Sequence, residues 1–160
     1  TTSAGKVDAI RALDHHGFDH LVVTHEPDRT MRPWHRDMRD LTKGNPRGGV
    51  DVFFDPVASG KYLDTEIKCL AQGGTIWVYG LLGDPDTVDV TPLIRKYASI
   101  RGWSLTELVE AGDEHWRRGC DEVFRGFEKG TYRQHMGGRY PFTEVRRAHE
   151  EMERGRHIGK

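Results

Sequence analysis

The chain has 160 residues, enough for one domain with a hydrophobic core and too few for two of ordinary size, so we predict one domain over residues 1–160. Its 24 Lys and Arg balance 25 Asp and Glu, which argues against nucleic acid or an anionic membrane surface as a partner. Only Cys69 and Cys120 are present, which argues against a disulfide scaffold and favours a reduced compartment.

Four apolar runs are predicted to be strands. They are rich in β-branched or aromatic residues and nearly continuous in apolarity, as is typical of strands buried on both faces. They lie at 20–23, 50–54 and 74–80, with a weaker run at 98–103. The opening stretch "TTSAGK" has the pattern of the end of an earlier strand, so the chain starts within a repeating unit.

Helical patterns separate or follow these strands. Apolar residues recur at helical spacing over 7–13 and again over 63–70. Two later apolar stripes, over 116–127 and 145–152, predict packing helices, the second behind Thr143 as N-cap. Strand, helix and strand in alternation predict an α/β fold built on a doubly wound parallel sheet.

Candidate binding residues follow the predicted strands. In open α/β sheets, ligands bind at the carboxyl ends of the strands. The strand at 50–54 is followed by "DPVASG" and the next one by "GLLGD", in which Gly80 lets the backbone approach a ligand and Leu81 offers an apolar surface. At a third such end, Ser3 and Lys6 supply a hydroxyl and a positive charge for a phosphate. These ends predict a crevice that is partly apolar and partly anion-binding.

Three stretches carry a family resemblance. They are "GGVDVFFDPVASGKYLDTEIKCLAQGGTIWVYGLLG", "ASIRGWSL" and "YPFTEVRRAHEEMERGRHIGK". In this order they resemble the nucleotide-binding domain of the medium-chain dehydrogenase/reductase superfamily, and they are most similar to its zinc-independent quinone oxidoreductase and enoyl reductase branch. The resemblance implies a Rossmann-like sheet with strand order 3-2-1-4-5-6.

The resemblance also implies that the sheet is incomplete. Family members carry a first strand and a glycine-rich turn just upstream of the segment similar to "TTSAGK". Without that central strand, its two neighbours would face a gap of about 9.6 Å, two interstrand spacings, with unpaired backbone groups. We therefore hypothesise that these residues are part of a longer enzyme, whose N-terminal catalytic domain and last strand lie outside the sequence.

The resemblance implies NADP(H) as the cofactor. In the family, an acidic residue at the end of the second strand selects NAD, whereas small hydroxyl residues with a nearby Lys accept the additional phosphate of NADP. The corresponding stretch here has no acid and offers Thr2, Ser3 and Lys6. A Tyr that many relatives place after the next strand is replaced by Thr24 and His25.

Further contacts with the cofactor are implied by the same resemblance. Val57 would pack on the adenine side, and Tyr79, Gly80 and Leu81 would line the nicotinamide end. Trp103, just past the last strand, is a further candidate for the nicotinamide wall.

The implied activity is hydride transfer to a quinone, an enone or a similar carbonyl substrate. The hydride chemistry belongs to the nicotinamide. In this group the acid or hydroxyl that faces the substrate usually comes from the other domain, so the catalytic residues are unknown. Relatives usually have Gly where this chain has Ala58, and we expect a tighter backbone approach there.

No metal site is predicted. Neither the adjacent His15 and His16 nor the pair His20 and His25 has a convincing spacing for a zinc chelate, and no Cys pair supports them. Cys69 lies at an apolar helix position, where we expect structural burial.

We also expect a homodimer in the cytoplasm. In many relatives the segment similar to 98–103 pairs with its counterpart in a second subunit, and an exposed edge strand otherwise invites aggregation. No apolar run is long enough to span a membrane, and no signal-peptide pattern opens the chain.

Two other functions stay open at this point. The stretches "DVFFDPV" and "CLAQGGTIWVYG" also resemble strands of S-adenosylmethionine-dependent methyltransferases, which need an acidic residue where "TTSAGK" has none. A non-catalytic nucleotide-binding or interaction module is the second alternative, because the residues that would decide lie outside the sequence.

Overall fold

The computed structural model describes residues 2–13, 17–110, 112, 114–155 and 157–159. Two compact units are present, one comprising Thr1–Arg32 with Glu114–Lys160 and the other Pro33–Asp113. They are called the first and the second unit below. The single domain expected over residues 1–160 stays a prediction.

Strands and helices alternate through most of the chain. In order they are β1 (Thr2–Ser3), α1 (Val7–Arg11), β2 (Val23–His25), α2 (His35–Leu41), β3 (Val50–Asp55), α3 (Gly60–Cys69), β4 (Leu70–Val78), α4 (Thr91–Lys96), β5 (Ser99–Gly102), α5 (Leu105–Glu110), α6 (Glu114–Glu128) and α7 (Val145–Glu153). No helix among these described residues is both long and apolar enough to cross a membrane.

The strands form two parallel sheets. In the first unit β1 pairs with β2, and in the second unit the order is β3-β4-β5. These pairings are those of strands 2 and 3 and of strands 4, 5 and 6 in the order 3-2-1-4-5-6. The structure thus confirms an α/β, Rossmann-like, doubly wound parallel arrangement that is incomplete.

Hydrogen bonds between β1 and the β2 region stabilise the small sheet of the first unit. The Thr2 amide donates to the Val22 carbonyl at 3.0 Å, and the buried Thr24 hydroxyl donates to the Thr2 carbonyl at 3.2 Å. The strand predicted at 20–23 is wrong at its start, because β2 covers only Val23–His25. Its partner β1 is two residues long, so only a short parallel ladder can form.

The core of the second unit lies on one face of its sheet. Phe53 of β3 is paired with Ile76 of β4, and both side chains are buried. The helices α3 and α4 contact β4, and Leu63 and Ile67 of α3 are buried as well. Because side chains alternate across a strand, the neighbours of Phe53 and Ile76 in sequence face the other side of the sheet.

The strand β4 starts earlier and ends earlier than the predicted run at 74–80. Leu70 pairs with Val50, and the ladder then skips to Thr75 opposite Val52. Gly73, with a φ of 71°, lies in this irregular stretch. Its left-handed backbone suits the irregular pairing and is accessible to glycine without strain.

The two predicted late helices are present as α6 and α7, but the apolar side chains of their stripes are not fully buried. Val123, Phe124 and Phe127 of α6 all retain large exposed areas. The prediction that Thr143 caps α7 is wrong, because residues 142–144 form a 3-10 turn and Glu144 occupies the N-cap position. Pro141, the residue before this turn, has an extended backbone, so the 3-10 turn begins directly after it and precedes the helix.

Candidate functional site

The loop that follows β3 is shaped by a buried carboxylate. Asp55 is the last residue of the strand and is fully buried. Its two oxygens accept the backbone N–H groups of Val57 at 2.7 Å and Ala58 at 3.0 Å. This Asx-type arrangement turns the chain sharply and holds Ala58 at a φ of 52°, in the left-handed region.

The loop that follows β4 is hydrogen-bonded to the loop that follows β3. The Tyr79 amide donates to the Asp55 carbonyl at 3.0 Å. Further along, the Leu82 amide donates to Pro56 at 2.9 Å and the Gly83 amide to Val57 at 2.8 Å. Residues 56–59 and 80–83, called the paired loops below, therefore form one rigid backbone surface at the carboxyl end of the sheet.

Gly80 is required by this close approach. A Cβ atom at position 80 would lie 2.6 Å from the Pro56 carbonyl oxygen and 2.9 Å from the Pro56 Cα. The sequence predicts that Gly80 lets the backbone approach a ligand, and the structure gives this glycine a packing role in the paired loops. By contrast, the Leu81 side chain is 87% exposed and extends away from the loop backbone into solvent.

Four aromatic side chains line a cavity on the sheet face opposite the core of the second unit. The cavity has a volume of about 530 Å³, within the range of small-molecule pockets. It is lined by Phe54, Trp77, Tyr79 and Trp103. The guanidinium group of Arg101 lies 5.5 Å from the centre of the Trp77 ring, a cation–π distance.

The structure brings Tyr79 and Trp103 together at this cavity, and their contact with a nicotinamide stays a prediction. Phe54 and Trp77, which line the same cavity, were assigned only to predicted buried strands. Phe54 is 72% exposed, so β3 is not buried on both faces. Alternation along β4 and the residue that follows it puts Trp77 and Tyr79 on the same side of the sheet, and this is the sequence signal that groups these two residues.

The first unit carries the residues predicted to bind a phosphate. Thr2 and Ser3 form β1, and Lys6 ends the 3-10 turn Ala4–Lys6. The Ser3 side chain makes no capping hydrogen bond to that turn. Lys6 forms no ion pair with any residue that the structure describes, so its charge is available to an anion. These residues belong to the first unit, whereas the paired loops belong to the second.

Thr24 and His25, which replace the Tyr that the resemblance implied, lie at the end of β2, the strand paired with β1. The Thr24 hydroxyl, which donates to Thr2, also lies 2.9 Å from Nδ1 of His25. The two side chains therefore stabilise the end of the short sheet.

Glu66 is a buried acid that the sequence analysis did not single out. Only 3% of its surface is exposed, and its Oε2 has no hydrogen-bond partner among the described residues. Burial, together with the smaller effects of the charge and hydrogen bonding of Asp55, raises the pKa of Glu66 to about 8. Glu66 is thus largely protonated at neutral pH, beside the carboxylate that shapes the loop after β3.

Cys69 is buried at the end of α3, as predicted. Burial raises the pKa of its thiol to about 11, so the thiolate is scarce at neutral pH. Within the described part of the chain, no group of three His, Cys, Asp or Glu side chains is arranged to hold a metal ion. His15 and His16 lie outside the described residues.

The sequence comparisons point to one class of enzymes. The sequence model of the family described as zinc-binding dehydrogenase matches residues 16–160. The chain is similar to the quinone oxidoreductase of Lama guanicoe, with 28% identity over 150 residues that cover 94% of this chain and 42% of that protein. It spans less than half the length of this relative.

The structural comparisons agree on the fold. The mycobacterial protein Rv1454c complexed with NADPH matches with a TM-score of 0.76 and 26% identity over 99% of this chain and 47% of the other. An NAD-dependent alcohol dehydrogenase matches with a TM-score of 0.75 over 99% of this chain and 41% of the other, and its 24% identity shows the fold alone.

A first prediction concerns Gly80. Gly80→Ala forces a Cβ against the Pro56 backbone and is expected to lower the free energy of unfolding by about 1–3 kcal/mol, measured by urea denaturation. The matched control is Gly102→Ala in β5, because a Cβ there meets no heavy atom within 4 Å. Equal losses in the two variants would contradict the packing role.

A second prediction concerns the pH dependence of stability. The folded-state pKa of Glu66 is raised from 4.5 to about 8, so the folded chain holds this proton where the unfolded chain has lost it. Its contribution to stability is therefore complete below pH 4.5 and is lost as pH rises from 4.5 to about 8.

The isosteric change Glu66→Gln removes this titration. As the pH rises from 4.5 to about 8, the free energy of unfolding of the variant is expected to increase relative to that of the unmodified chain by on the order of 1 kcal/mol per pH unit. Denaturation at a series of pH values measures the difference, with Glu128→Gln as an exposed control. A constant difference between Glu66→Gln and the unmodified chain would refute the assignment.

Proposed function

Because the chain belongs to the zinc-binding dehydrogenase family within the medium-chain dehydrogenase/reductase superfamily, we propose that it is the cofactor-binding part of an NADP(H)-dependent oxidoreductase. Its substrate is proposed to be a quinone, an enone or a similar carbonyl compound. The observation that carries the proposal is the rigid pair of loops beside an aromatic cavity, at the end of a parallel sheet where such folds bind ligands.

The described residues suit a nicotinamide cofactor. When bound, the nicotinamide supplies the hydride chemistry. Tyr79 and Trp103 would hold its planar ring by stacking and would exclude water from it. Val57 and Leu81, which belong to the paired loops, would contact the adenine side and the nicotinamide end respectively.

NADP(H) is favoured over NAD(H) by the charge at β1. Residues 2–6 contain no acid to bond the ribose hydroxyls, and they present Ser3 and Lys6 to a phosphate. The structurally similar mycobacterial protein is complexed with NADPH, which supports this choice.

We propose no zinc site within the described residues, because no group of three His, Cys, Asp or Glu side chains among them is arranged to hold a metal ion. The group that faces the substrate is proposed to come from another domain, and we assign no catalytic residue within this chain.

We further propose a cytoplasmic homodimer that forms through β5. This strand is the last in the order β3-β4-β5, and its outer edge pairs with no other described strand. An unpaired parallel edge can extend a sheet across a two-fold axis.

Cofactor titration tests the proposed function. NADPH and NADH are titrated into the complete gene product, and binding is followed by Trp fluorescence. We expect tighter binding of NADPH, and we expect Lys6→Gln to weaken NADPH about tenfold while NADH changes by less than about twofold. Arg11→Gln, an exposed cation on α1, is the matched control.

Each contrary result points to a different alternative. Equal weakening of both cofactors by Lys6→Gln would contradict the phosphate assignment. Cofactor binding without turnover of quinones and enones would favour a non-catalytic nucleotide-binding module. Failure to bind either cofactor would refute the oxidoreductase proposal.

Light scattering tests the dimer. The complete gene product at micromolar concentration is expected to have twice the mass of one chain, because pairing of two β5 edges satisfies their exposed backbone groups. A monomer mass under these conditions would count against pairing through β5.

A further inference from the structure

A second concave site lies at the other end of the sheet in the second unit. It has a volume of about 190 Å³ and is lined by Gly48 and Gly49, which precede β3, and by Leu70, which begins β4. The paired loops follow the carboxyl ends of these same strands. The two sites therefore lie at opposite ends of β3 and β4.

The lining of this site, called the cationic cavity below, is strongly basic. It includes His35, Arg39, Lys43, Lys68 and Lys96, and none of the described residues that line it is acidic. The chain as a whole has 24 Lys and Arg against 25 Asp and Glu, so this is a local excess of positive charge.

Little of this charge is neutralised. Lys43 pairs with Asp40 at 2.7 Å. Asp89 lies near enough to Lys68 for the lysine to help lower the aspartate pKa, although hydrogen bonds from Thr91 lower it more. Neither Arg39 nor Lys68 forms an ion pair with any residue in the described ranges.

Lys96 is fixed at the wall of the cationic cavity. Its Nζ donates to the carbonyl oxygens of Lys68 at 2.8 Å and Leu70 at 2.7 Å. An ammonium group has three donors, so these two bonds leave one unused. Burial lowers the pKa of Lys96, and the positive charge of Arg39 lowers it further although Cys69 acts in the opposite direction. An anion in the cavity would relieve this repulsion.

We propose that the cationic cavity binds a phosphate group, either as inorganic phosphate or as part of a small phosphate monoester. Its volume is below that of pockets for drug-sized molecules and suits a small anion. The anchored Lys96 supplies a fixed donor, and Arg39 and Lys68 supply unpaired charge from two further helices. This site is independent of the proposed cofactor site.

A purely structural role for these cations makes the opposite prediction about stability. Arg39, Lys68 and Lys96 lie in the last turns of α2, α3 and α4, where a positive charge stabilises a helix through its dipole. If that were their whole role, removal of one charge would destabilise the chain. If instead the cations repel one another when no anion is bound, removal of one charge would leave the free energy of unfolding unchanged or raise it at low salt.

Thermal unfolding of the complete gene product distinguishes these roles. Potassium phosphate is compared with potassium chloride at equal ionic strength, and glycerol phosphate forms a second arm that separates a monoester from the free ion. Phosphate or the monoester is expected to raise the Tm by mass action. Arg39→Gln and Lys68→Gln are each expected to weaken the apparent affinity about three- to tenfold, and the double variant to abolish the response.

Matched controls assign the response to the cationic cavity. Arg36→Gln on α2 and Lys61→Gln on α3 remove the same charges from exposed positions of the same helices. Lys6→Gln tests whether phosphate binds at the proposed cofactor site instead. All three are expected to keep the phosphate response.

The proposal is overturned by any of three results. The first is an equal phosphate response in the cavity variants and in the controls. The second is loss of the response in Lys6→Gln alone, which would assign the phosphate to the cofactor site. The third is a pair of observations: Arg39→Gln and Lys68→Gln each lower the Tm at low salt, and phosphate does not specifically stabilise the unmodified protein. Together they would show that the cations serve only to stabilise the helix ends.

Discussion

The paired loops depend on the buried carboxylate of Asp55. A carboxylate removed from water is stable only when its oxygens are hydrogen-bonded, and here the N–H groups of Val57 and Ala58 provide those bonds. The same residue accepts the Tyr79 amide through its backbone carbonyl. One position therefore sets the turn after β3 and the direction in which the chain leaves β4. The protonated Glu66 beside it avoids a second buried negative charge.

Strain at Ala58 follows from this arrangement. A left-handed backbone costs a residue with a Cβ roughly 1–2 kcal/mol, and the family resemblance places glycine at this position. The two hydrogen bonds that the Asp55 carboxylate accepts and the close approach of Gly80 and Gly83 to residues 56–59 determine the loop strongly enough to hold Ala58 there. A glycine here would remove the strain and would also make the unfolded chain more flexible, so the two effects oppose each other.

The sequence predicted the existence of the main elements better than their limits or their exposed faces. The run at 50–54 is β-branched and aromatic, and β3 covers it fully. The run at 20–23 has the same character, but a strand forms only where a partner is available, and the partner is two residues long. The buried Glu66 was detectable in principle, because it lies three residues after Leu63 on the apolar side of α3. For the aromatic cavity, alternation groups Trp77 with Tyr79, but a continuous apolar run does not show which of its two faces a helix covers, so the sequence could not identify that face as the open one.

The two ends of the second unit's sheet show why overall composition says little about binding. The carboxyl end is aromatic and suits a planar ring, while the amino end concentrates cations that a nearly neutral composition conceals. The strand β3 has six residues, so the ends lie about 20 Å apart. This exceeds the Debye length of about 8 Å at physiological ionic strength, so charge at one end has little direct effect on a ligand at the other. Coupling between the two sites would therefore have to pass through the packing of β3 and β4 rather than through the electric field.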